Sequence, residues 1–109
     1  MKKFSIAPTA ERDTRDCLDP WFFALFASNR ELWPCCWHKP LLTVPVGASL
    51  RAALDGPEMR EMRRMLLEGE LDRECRECPT RPLTSKAQLR ERVRIELAMA
   101  WAEATDNAP

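Results

Sequence analysis

Five cysteines fall in three clusters along 109 residues: Cys17, the adjacent pair Cys35 and Cys36, and Cys75 with Cys78. Two thiolates three residues apart in a turn can bind one tetrahedral ion, or two irons of a cluster, without strain. Cys75-Arg-Glu-Cys78 has that spacing. A thioredoxin-like redox pair shares it, but that pair belongs at a strand-to-helix junction of an α/β domain. Here the motif follows a helical pattern, is succeeded by Pro79 and Pro82, and has no βαβ pattern around it. Metal binding is the expected use.

The other half of such a site must come from the N-terminal third. Trp21 to Phe26 is rich in strand-favouring aromatics, Ser28-Asn29-Arg30 supplies a turn, and Glu31 to Trp37 returns. That β-hairpin brings Cys17, before its first strand, close to Cys35 at the end of its second. Neighbouring side chains in an extended segment point to opposite faces, so one of Cys35 and Cys36 serves a given centre. Cys35 is the favoured one, with Cys36 a packed thiol, an alternate ligand or half of a second site. His38 is the only histidine and an alternate ligand two residues past the pair. Trp21, Trp33 and Trp37 are positioned to shield a buried centre, as well as to build a core.

The remaining elements read from their ends. Residues 1–16 form a polar arm, and residues 17–82 form the metal-binding domain. Asn29 is expected to take positive φ in the hairpin turn, and Pro34 to put the second strand at an edge. Residues 39–47 read as loop. Ser49 caps a short helix over 50–54. Pro57 opens a longer one over 57–68, stopped by Gly69, with Met59, Met62 and Leu66 as its apolar stripe. A last helix runs from about 84 to 104, within a C-terminal segment of residues 83–105, with Ser85 and Gln88 at capping-box spacing. Its apolar surface, including Leu89, Val93, Leu97 and Trp101, packs on the domain or on a partner. The expected fold is a small α+β domain, an N-terminal hairpin followed by helices around a four-cysteine metal centre, with a long C-terminal helix.

Seventeen basic and seventeen acidic residues balance, which removes the electrostatic case for nucleic acid. The chain is long enough for one modest core. Met1 to Pro8 begins like a signal n-region, but Thr9 to Asp16 interrupts it with charge, and no apolar run is long enough to span a bilayer. A cytoplasmic chain with no membrane partner is expected. In a reducing compartment spaced cysteines serve metals or catalysis rather than disulfides.

Five segments in unbroken order over residues 17–79 resemble a known family. They are Cys17-x-x-Pro-Trp21, Asn29-Arg-Glu-Leu-Trp-Pro-Cys-Cys36, Ser49-Leu-Arg-Ala-Ala-Leu54, Met62-Arg-Arg-Met-Leu-Leu-Glu-Gly-Glu-Leu71 and Cys75-Arg-Glu-Cys-Pro79. Together they look like the SPASM/twitch domain, which follows the catalytic barrel of many radical SAM enzymes and carries auxiliary [4Fe-4S] clusters. The order of cysteines is similar to the shorter twitch version, in which four cysteines hold one cluster. The resemblance implies Cys17, Cys35, Cys75 and Cys78 as ligands. It departs at the hairpin turn, where Asn29 stands near the usual glycine. It departs also after Cys78, where the further cysteines of a second cluster are absent.

The Cys-x-x-x-Cys-x-x-Cys motif that binds the S-adenosylmethionine cluster is absent as well, and there is no length for a barrel. The resemblance therefore implies a free-standing iron–sulfur module, an accessory or electron-transfer protein rather than a radical SAM enzyme by itself. It would act in electron transfer or dock a protein partner: a radical SAM enzyme, a transferase or a modified peptide. The alternative is a structural zinc module using the same four thiolates, since both centres want four sulfurs.

Overall fold

The computed structural model describes residues 13–35 and 37–106. The fold is a small α+β arrangement with a β-hairpin, two short sheets and a long C-terminal helix.

Strand β1 (Thr14–Arg15) lies in what the sequence suggests is the arm. It pairs antiparallel with β5 (Leu83–Thr84), setting Thr14 opposite Thr84 and Arg15 opposite Leu83. Next comes a single turn of helix, α1 (Asp19–Phe22), where the aromatics suggest strand. Pro20 decides this: its fixed φ suits the first turn of a helix, where its missing N–H is not needed. The hairpin is β2 (Leu25–Phe26) with β3 (Glu31–Trp33), in the register Leu25 to Trp33 and Phe26 to Leu32. In its turn Arg30, not Asn29, takes positive φ at 70°. A left-handed non-glycine residue costs about 1 kcal/mol. Its guanidinium offsets that by donating to the carbonyls of Val44 at 2.6 Å and Pro45 at 2.9 Å.

Those carbonyls belong to β4 (Leu42–Thr43) and the residues after it, which the two flanking prolines conceal in the sequence. Strand β4 pairs with the free side of β3, Leu42 opposite Leu32, so β3 is the central strand and not an edge. Pro34 is tolerated because β3 ends at Trp33.

The helices α2 (Leu50–Leu54) and α3 (Pro57–Glu68) start and stop where their caps place them. Ser49 Oγ accepts the Ala52 N–H at 3.2 Å. Gly69 closes α3 in the left-handed region at φ 72°, with the Glu70 N–H returning to the Met65 carbonyl at 2.9 Å. Helix α3 spans two apolar clusters among the described residues. Met59 packs with Leu32 and Val44 from the three-stranded sheet, while Met62 and Leu66 pack with Leu89 and Val93 from α5 (Lys86–Asp106). Ser85 caps α5 by accepting the Gln88 N–H at 3.1 Å, but Gln88 Oε1 takes the Thr84 hydroxyl, so the capping box is half made. The first half of α5 is core, and its apolar face then runs out into solvent, with Leu97 44% and Trp101 75% exposed. No helix among the described residues is long and apolar enough to cross a membrane.

Two glycines with positive φ separate strain from contact. A Cβ on Gly69 would stand 2.7 Å from the Asp13 carbonyl oxygen, whereas one on Gly47 would meet nothing within 4 Å. Gly47→Ala is expected to cost about 1 kcal/mol in urea unfolding, and Gly69→Ala about 2 kcal/mol or more.

Candidate metal centre

Cys17, Cys35, Cys75 and Cys78 line one cavity of about 310 Å³, together with His38, Trp37, Arg15 and Arg81. None of the four thiols is in a disulfide. Each reaches the cavity by a local device. Cys17 leads into α1. Cys35 stands just past β3, in the bend that the proline after the strand begins. Cys75 lies in the short helix α4 (Arg73–Arg76), and Cys78 in the turn that follows. Cys36 lies outside the described residues. Of the three tryptophans set to shield a centre, Trp37 lines the cavity. Trp21 packs instead against the core between α3 and α5, and Trp33 stays in β3, outside the lining.

The thiols are desolvated yet met by donors. Burial pushes the Cys17 thiol up to about 12, with the Asp19 N–H acting in the opposite sense. Burial likewise raises Cys35, against the backbone N–H groups of His38 and Trp37. The His38 N–H lies 3.3 Å from the Cys35 sulfur. Cys75 is raised furthest, by burial first and then by the neighbouring Asp72 carboxylate. Cys78 sulfur lies 3.4 Å from the Thr80 hydroxyl. A nucleophilic cysteine needs a lowered pKa and a nearby base. Cys17, Cys35 and Cys75 have the opposite shift.

His38 is not placed as that base. The side chain is buried, and Nδ1 stands 2.7 Å from the Lys39 carbonyl, which can only accept, so Nδ1 carries a proton. Nε2 lies 2.6 Å from Asp72 Oδ2. Burial works to raise the Asp72 carboxyl, but the His38 and Cys75 hydrogen bonds outweigh it and hold the group below its ordinary value. The other oxygen, Oδ1, accepts the Cys75 N–H at 3.1 Å and caps α4. One hydrogen-bonded chain thus ties the segment after Cys35 to the helix carrying Cys75. Trp37 Nε1 adds a second tie, donating to the Glu74 carbonyl at 2.8 Å. The ligand atoms of His38, Asp72 and Cys75 all lie within 4.8 Å of one another.

Arg15 is the residue whose role no sequence signal announces. It is 3% exposed, and its guanidinium donates to the carbonyls of Cys75 at 2.9 Å, Arg76 at 2.6 Å and Arg81 at 3.0 Å. Those bonds fix the shape of the Cys75 to Arg81 loop and set a buried cation on the cavity wall. Asp72 was within reach of sequence reasoning, since an Asp three residues before Cys75 is an N-cap pattern. Comparison with protein-family models, curated proteins and solved structures gives no match for this chain.

Arg15→Met is expected to destabilise the fold by about 3 kcal/mol, measured by urea unfolding. Arg15→Lys should recover only a small part of that, because one ammonium cannot fork to three carbonyls.

Proposed function

We propose that this chain is a SPASM/twitch-like iron–sulfur module in which Cys17, Cys35, Cys75 and Cys78 hold one [4Fe-4S] cluster. The observation that carries the reading is the gathering of these four thiols, from three distant segments, on one cavity wall. Its chemistry favours a cationic centre. Several thiols that burial keeps from ionising, each near enough to raise another's pKa, are an unfavourable set until a metal replaces their protons. Donors at Cys17, Cys35 and Cys78 are the hydrogen bonds to sulfur that thiolate ligands use.

A cluster with a thiolate on every iron supplies one-electron transfer and leaves no open iron for substrate. The residues of the chain serve that role by position. Trp37 and Phe23 line the cavity, exposed at 49% and 40%, and so stand between it and a docking partner. Arg15 and the pair of His38 and Asp72 fix the loops that bear the cysteines. The activity proposed is electron transfer to, or docking of, a partner enzyme or its peptide substrate, with no catalysis by this chain.

Anaerobic purification should give brown protein with about four irons per chain, bleached by dithionite and restored by air-free oxidation. Cys75→Ala or Cys35→Ala should abolish the colour, and Cys36→Ala should leave the iron content unchanged. A colourless protein holding one zinc ion would identify the structural zinc module instead, and loss of iron in Cys36→Ala but not Cys35→Ala would reassign the second ligand.

A further inference from the structure

From the residues that flank Cys75 we infer a second metal site, mononuclear, in which His38 Nε2, Asp72 Oδ2, Glu74 Oε1 and Cys75 Sγ hold one borderline divalent ion of the zinc or ferrous type. One ligand atom from each of His38, Asp72 and Cys75 already lies within 4.8 Å of the other two. The fourth is singled out by a different observation. Glu74 Oε1 is buried without a hydrogen-bond partner among the described residues, and it lies 3.9 Å from His38 Nε2. A buried, unpartnered carboxylate oxygen is costly unless something meets it.

The spacing suits an ion. Tetrahedral arms of about 2 Å put neighbouring donors about 3.3 Å apart. The separations of 2.6 Å from Nε2 to Asp72 and 3.9 Å from Nε2 to Glu74 bracket that value.

The outer contacts are those that ligands need. His38 Nδ1–H donates a hydrogen bond to the Lys39 carbonyl, which leaves Nε2 as the coordinating atom and fixes the ring. Asp72 spends Oδ1 on the Cys75 N–H and turns Oδ2 to the site. One imidazole, two carboxylates and one thiolate make a mixed set that suits zinc or ferrous iron rather than a soft, all-sulfur centre. Binding releases the Cys75 thiol proton and any proton on Nε2. Without the ion, His38 and Asp72 hold each other.

The site stands on this geometry, and it touches the cluster proposed above through a single shared ligand. Cys75 cannot serve both, so a chain filled here cannot complete the four-thiolate set.

Zinc-edge X-ray absorption of the full-length Cys17→Ser chain, purified metal-free and given one equivalent of zinc, tests it. This variant breaks the four-thiolate set and keeps every ligand of the mixed site. One sulfur at about 2.3 Å with nitrogen or oxygen neighbours at about 2.0–2.1 Å is expected. Adding Asp72→Asn, which preserves the α4 cap, or Glu74→Gln, should weaken zinc at least tenfold in competition with a chromophoric chelator. Three sulfurs around the zinc, or an affinity indifferent to both substitutions, would overturn the assignment. If circular dichroism shows Cys17→Ser unfolded, the same spectrum of the Cys35→Ser chain, which also breaks the four-thiolate set and keeps every ligand of the mixed site, decides, one sulfur for the site and three against it. Iron content after anaerobic reconstitution is read on a separate sample, so failure of the cluster and failure of this site are distinct results.

Discussion

Desolvation of the thiols is the constraint around which this small fold is arranged. Burial raises Cys17, Cys35 and Cys75 above the ordinary thiol range, and their mutual approach raises them further. A chain of 109 residues has little stability to spare for such an arrangement, since the margin between folded and unfolded is about 0.05–0.15 kcal/mol per residue. In the proposed reading, replacing several protons by one cationic centre would turn that liability into folding energy. Cys17 and Cys75 also pack directly against the core between α3 and α5. The thiol-lined cavity and the hydrophobic core therefore share residues, and loosening either exposes the other.

Two polar devices carry the cysteine segments to the cavity. From β1, the Arg15 guanidinium reaches three carbonyls of the Cys75 to Arg81 loop. From the bend after β3, His38 reaches Asp72, which in turn caps α4. Both spend charge in the interior, where it must be fully bonded to be tolerated. Pairing of β1 with β5 sets the first device in place, and α3 supports it from below, with Thr14 Oγ1 donating to the Leu66 carbonyl at 2.5 Å. Both devices thus end on the segment from Asp72 to Arg81, which holds Cys75 and Cys78.

What the sequence disclosed and what it hid divide by range. Helix α2 behind Ser49 and helix α3 between Pro57 and Gly69 were legible because their caps act within four residues. The hairpin of β2 and β3 was legible from its aromatics and turn residues, although the positive φ fell on Arg30, whose partners at Val44 and Pro45 lie in another strand. Strands β1, β4 and β5 are two residues long each and exist only through pairing, β1 and β5 with each other from opposite ends of the fold and β4 with β3 across two prolines. No alternation can announce a strand of that length. Convergence of the four cysteines was legible from spacing and hairpin logic. The carbonyls that Arg15 meets and the approach of Glu74 to His38 were not, because each partner lies far away in the chain.

The central claim is that Cys17, Cys35, Cys75 and Cys78 act as one set of metal ligands. Native-state alkylation with peptide mapping by mass spectrometry, on the anaerobically loaded chain and on the same chain after chelation, tests it most directly. All four cysteines should be protected in the loaded chain and become reactive together once the metal is removed, since loss of any ligand releases the rest. Modification of any one of the four at the same rate before and after chelation would contradict the account.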